Sequence, residues 1–98
     1  TIEHVSFDKQ LLEIFNRILV PNGIFICSTP NENTMPFDAE KFPFHIKHYS
    51  PSEFYDLLEI SGFEVLEKHT QIDSKSGKIT EGTHGCFNLA ICRKVDVV

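Results

Sequence analysis

The residues best equipped for chemistry in this 98-residue chain are imidazoles, an amide and a carboxylate, gathered in two stretches. Glu3-His4 sets a carboxylate beside an imidazole near the start, and His45 and His48 lie three apart within Phe44–Tyr49. That second stretch precedes a helix start and reads as extended. Imidazoles there suit substrate contact or proton transfer from a segment that closes over a site. The plainer alternative is surface histidines in a loop, which suits His48 better than His45. Asn31 ends an apolar run, where its amide either holds substrate or folds the loop as an Asx turn. Phe37, Phe42 and Phe44 make the same segment aromatic, more as a cover for a cleft or helix than as a platform for a base. Asn31, Phe44 and His48 are the expected substrate contacts. His69 and His84 are assigned no role. No nucleophile–base dyad and no G-x-G is present.

These groups need elements to hold them. Phe7, Leu11, Leu12, Phe15, Ile18 and Leu19 recur at helical spacing, which predicts a helix over Phe7–Leu19 with Ser6 as N-cap. Pro21-Asn22-Gly23 stops it. Ile24-Phe25-Ile26-Cys27 has no polar alternation and predicts a parallel strand covered on both faces. Residues 28–49 hold three prolines and no period, the pattern of a long lid or binding loop. Ser50-Pro51-Ser52-Glu53 is a capping box that starts a second helix, with Phe54, Leu57, Leu58 and Ser61 inward. Gly62 caps its end, and Phe63 folds back onto it. Phe63–Lys68 alternates as a strand, and the polar Asp73–Gly85 is a loop or hairpin connection. Cys86–Arg93 is the last strand, with Phe87, Leu89 and Ile91 on one face and Cys86, Asn88, Ala90 and Cys92 on the other. The order is α/β, ending in an antiparallel pair.

Composition narrows the classes. A hydrophobic fraction of 41% and a charged fraction of 23% belong to a globular domain. A net charge of −5 with scattered Lys and Arg argues against a stable nucleic-acid or membrane contact. Cys86 and Cys92 sit roughly 20 Å apart on one extended strand, too far for a disulfide. Cys27 lies in an apolar run, so a reducing, cytoplasmic setting fits. No signal peptide, transmembrane run or repeat is seen, and a start at Thr1 suggests a fragment.

Together the motifs carry a family resemblance. Thr1-Ile2-Glu3-His4-Val5, Arg17-Ile18-Leu19-Val20-Pro21-Asn22-Gly23, Ile26-Cys27-Ser28-Thr29-Pro30-Asn31, Pro43-Phe44-His45 and the Ser50–Phe54 helix start with Gly62-Phe63 stand in order. This series resembles the second half of class I (Rossmann-like) S-adenosylmethionine-dependent methyltransferases. Asn22 stands where the family often has Gly, and Asn is the next best residue for left-handed angles. The resemblance implies that residues 1–94 are the C-terminal half of a methyltransferase domain, with a tail over 95–98. They would supply strands five, six and seven of a seven-stranded sheet with two helices. The Gly-rich loop and the ribose-binding acid that hold S-adenosylmethionine would lie upstream, so the chain by itself would bind the cofactor poorly.

The resemblance also assigns roles. Glu3 and His4 would sit at the carboxyl end of a strand, where open α/β sheets bind ligands. Two subfamilies, the small-RNA 2′-O-methyltransferases and the ubiquinone-pathway O-methyltransferases, use this segment for a metal. By that resemblance Glu3, His4 and His45 are candidate ligands of a divalent cation, and His4 and His45 the candidate catalytic residues. Without a metal, His4 acts as a general base or only frames the loop.

The leading expectation is therefore part of a methyltransferase that acts on a small-molecule or sugar-type acceptor. Alternatives are a metal-dependent 2′-O-methyltransferase of RNA ends and a non-enzymatic α/β interaction module. A nucleotide-binding reductase fits the Glu-His and Ser-Thr-Pro-Asn segments poorly. A chain this short cannot cover the apolar strand, so self-association through its edge is expected.

Overall fold

The computed structural model describes residues 1–95, so all of the expected tail beyond Val95 lies outside the described residues. Helix α1, Asp8–Ile18, begins one residue later than the periodicity predicts. Its N-cap is Phe7, with no side-chain bond, rather than Ser6. Asp8 anchors this end instead, because its carboxylate accepts from Tyr49 Oη at 2.7 Å. Leu12 is fully buried and Leu11, Phe15 and Leu19 pack beside it. Phe7 and Ile18, expected in the same stripe, are 51% and 73% exposed. The core reaches only the Leu12 side of the helix.

The turn after α1 holds Asn22 at φ 63°, the left-handed region that Asn tolerates. Gly23 N–H donates to Val20 O at 2.8 Å, and a Cβ at Gly23 would meet that same oxygen. Strand β1, Ile24–Pro30, follows. It corrects the expectation of a parallel strand covered on both faces. Among the described residues β1 pairs only with β4, Phe87–Lys94, and antiparallel to it. Phe25 and Cys27 turn inward, while Ile24 and Ile26 are 53% and 61% exposed. An apolar run records that a strand is shielded somewhere, but not by what.

Helix α2, Pro51–Ile60, has the predicted N-terminus: Ser50 Oγ accepts from Glu53 N–H at 3.3 Å, with Pro51 in the first turn. Phe54, Leu58 and the capping Ser61 are buried as expected. Tyr55 joins them, because its hydroxyl can reach the sheet and donate to Leu89 O at 3.1 Å. Gly62 at φ 100° turns the chain into Phe63, which is 2% exposed and stacks on Phe25 at 4.8 Å.

Strand β2 spans Phe63–Gln71, three residues longer than predicted, with a register shift between Val65 and Glu67. The extension pairs with β3, Ile79–Glu81, so the polar connection is a hairpin. β4 keeps the predicted alternation, with Asn88, Ala90 and Cys92 buried. The sheet order is β1-β4-β2-β3, so β1 and β2 run parallel to each other on either side of β4. The three cysteines are free thiols, and burial pushes Cys27 and Cys92 up to about 12. Among the described residues, no helix is long and apolar enough to cross a membrane.

Candidate active site

A short 3₁₀ turn, Ile2–His4, packs against β1 and brings the first candidate residues to the segment that follows that strand. Two backbone contacts fasten the turn to the 44–46 peptide. Ile46 N–H donates to Glu3 O at 2.6 Å, and His4 Nδ1 lies 2.7 Å from Phe44 O. A carbonyl only accepts, so Nδ1 of His4 carries a proton, and in the neutral ring Nε2 is left as a lone pair. That nitrogen is 3.5 Å from Glu3 Oε1.

His45 completes the cluster. One ligating atom from each of Glu3, His4 and His45 lies within 4.8 Å of the others. The His4 and His45 rings meet edge to face, with centroids 4.6 Å apart. Glu3 is 9% exposed. Partial burial and then the charges of His4 and His48 lower His45, against the opposite pull of Glu3. The site thus gathers a carboxylate, the His4 imidazole and, in His45, an imidazole that favours the neutral form. Such a set can accept a proton or ligate a cation.

The remaining candidates are placed differently. His48 is 2% exposed, so it is neither a surface histidine nor open to solvent. Its Nδ1 lies 2.7 Å from Met35 O and its Nε2 2.7 Å from His45 Nδ1. Asn31 is fully buried. Its amide donates to Thr83 O and Gly85 O at 3.1 and 3.0 Å, while Oδ1 accepts from Asn33 N–H at 3.0 Å. The last of these bonds is the Asx turn. Phe44 is 80% exposed and lends the site only its carbonyl in this conformation.

The other aromatics do more than cover. Phe42 stacks on His45 at 5.1 Å and meets His48 edge-on at 4.5 Å, and Phe37 meets His48 at 5.6 Å. Tyr49 was not among the expected site residues. It is 1% exposed, forms a parallel bridge with Asn31, and its hydroxyl ties Asp8 to this segment. An aromatic residue just before a helix N-cap was the available signal. A separate open groove of about 470 Å³, lined by Asp8, Lys47, Tyr49, Glu53, Asp56 and Leu57 among others, includes none of the Glu3, His4 and His45 cluster.

No family model matches the sequence. A probable S-adenosylmethionine-dependent methyltransferase of Mycolicibacterium smegmatis is 39% identical over 66 residues, spanning 65% of this chain and 26% of that protein. The crystal structure of an S-adenosylmethionine-dependent methyltransferase from Thermotoga maritima, described as a possible histamine N-methyltransferase, superposes with a TM-score of 0.79. That match covers 96% of this chain and 52% of the other at 22% identity, which shows the fold. The chain therefore spans about a quarter of the curated relative and about half of the solved structure. Over part of its length the chain is thus similar in sequence to one S-adenosylmethionine-dependent methyltransferase, and nearly all of it has part of the fold of another.

Proposed function

We propose that this chain forms the acceptor side of an S-adenosylmethionine-dependent methyltransferase acting on a small-molecule or sugar-type acceptor. The order β1-β4-β2, with β4 antiparallel to both neighbours, supports reading these strands as the fifth, seventh and sixth of the family's sheet. The observation that carries the site is the convergence of Glu3, His4 and His45. S-adenosylmethionine supplies the methyl group when bound. The cofactor's Gly-rich loop has no counterpart here, so the 98 residues act within a longer polypeptide and are inactive alone.

Methyl transfer is an in-line displacement that depends chiefly on holding acceptor and methyl group in line. What this chain adds is a place for the acceptor's proton. His4 Nε2 takes it from an acceptor hydroxyl, and Glu3 beside it stabilises the resulting imidazolium. The same three side chains fit a divalent cation, since carboxylate oxygen and imidazole nitrogen are its usual donors. Glu3, His4 and His45 would then hold it, and it would lower the pKa of the attacking hydroxyl.

Transfer of labelled methyl in the longer polypeptide and its His4→Ala variant tests this reading. A fall in kcat of about 100-fold is expected for loss of a general base. An unchanged rate removes His4 from the reaction. Metal analysis of the same two proteins separates the versions: equal, negligible content leaves the base alone, and content lost with His4 supports the cation. Transfer to RNA 3′ ends in preference to small acceptors would replace the proposed acceptor. Absence of any transfer would favour a binding module.

A further inference from the structure

His48 is a buried imidazole outside the Glu3, His4 and His45 cluster, and both of its ring nitrogens are engaged. Nδ1 faces Met35 O at 2.7 Å, and Nε2 faces His45 Nδ1 at the same distance. The three groups form a chain in which each proton position dictates the next. Met35 O can only accept, so the proton of a neutral His48 sits on Nδ1 and its Nε2 is an acceptor. His45 must then donate from Nδ1, which leaves Nε2 as the nitrogen it has to offer. The backbone carbonyl of Met35 thus sets the tautomer of a side chain ten residues away.

We infer that His48 is a positioning residue that, with Met35 O, fixes His45 in the Nδ1–H tautomer and leaves Nε2 as a lone pair. The surroundings match that role. Phe42 stacks on the His45 ring, and Phe37 and Phe42 meet the His48 ring edge-on, so both imidazoles are packed against aromatic rings. His4 is set in the same sense by a second backbone carbonyl, Phe44 O. Two carbonyls of one loop therefore orient both imidazoles of the cluster as acceptors. Second groups of this kind, which fix a tautomer and raise the basicity of the free nitrogen, are needed equally by a general base and by a metal ligand. The use made of the lone pair rests on the function proposed above, but the tautomer itself does not.

Long-range ¹H–¹⁵N correlation spectra of the ¹⁵N-labelled chain, at about pH 8 where imidazoles are neutral, read the tautomers directly. The expected wild-type result is His45 protonated at Nδ1, with a ¹⁵N–¹⁵N coupling across the bond to His48 Nε2. His48→Gln places a carbonyl oxygen near the lost nitrogen and keeps the Nδ1–H form. His48→Leu keeps apolar volume, removes the acceptor, and shifts His45 to a mixture rich in Nε2–H. His45 protonated at Nε2 in the wild type, or unchanged by His48→Leu, overturns the inference. Where His48→Leu fails to fold, the wild-type coupling decides: its presence supports the chain of bonds and its absence refutes it. Methyl-transfer activity can fail while this result stands, and the reverse, so the two readings are tested apart.

Discussion

At the scale of single residues, the loop behind the site is held by a few atoms with no slack. Gly85 donates its N–H to Thr70 Oγ1 at 2.8 Å, while its carbonyl accepts from Asn31 Nδ2 and Thr34 Oγ1. A Cβ there would lie 2.5 Å from Thr70 Oγ1 and closer still to Gln71 O, a backbone atom that cannot swing aside. Gly85→Ala is therefore expected to destabilise the chain by about 3 kcal/mol through overpacking, a lower urea midpoint being the measurement. An unchanged midpoint would mean that the loop can shift. None of this was legible in the sequence, where Gly85 reads as one more loop glycine. Asn31, by contrast, was legible as a choice between substrate and Asx turn. Its bonds to Thr83 and Gly85, from more than fifty residues away, lay beyond any local reading. His48 was read as a loop histidine for the same reason, because its burial comes from Phe37, Phe42 and Met35. The Glu3, His4 and His45 cluster was named only through family resemblance. No local pattern connects residues some forty positions apart.

At the scale of elements, what is local was readable and what is paired was not. The Ser50 cap depends on four consecutive residues, and its bond to Glu53 N–H appears where the motif placed it. Glu53 does not return the bond in a full capping box; its carboxylate pairs with Lys47 instead. Ser50→Ala should thus cost about 1 kcal/mol, the value of the single remaining cap bond. Thermal unfolding would register it as a drop of about 4–8 °C for a domain of this size. No change in Tm would show that water replaces the hydroxyl without loss. Strand ends are harder to read. β2 runs on past Lys68 through His69, Thr70 and Gln71, polar residues held in the sheet because β3 and β4 lie alongside. A sequence window sees that polarity and ends the strand early.

At the scale of the whole molecule, the consequence of β1's position is an open sheet edge. The run Ile24-Phe25-Ile26-Cys27-Ser28-Thr29 holds no charge and no Pro before Pro30, and among the described residues β4 pairs with one side of it and no strand with the other. Natural sheets guard such edges with Lys, Pro or bulges, none of which interrupts this one. A second copy docking antiparallel about Ile26 would set Ile24 against Ser28 and Phe25 against Cys27. Two exposed isoleucines from each chain would then be covered, with no charge buried. The chain in isolation is accordingly expected to self-associate through β1. Ile26→Lys should abolish this, because the two-fold places like charges opposite each other. Its own stability should change by less than about 0.5 kcal/mol, Ile26 being a largely exposed side chain. Light scattering across a concentration series distinguishes the outcomes. A wild-type monomer at the highest concentration would show that the edge protects itself. Assembly that persists in Ile26→Lys would move the contact to another face, such as the one bearing the exposed Ile14 and Ile18 of α1.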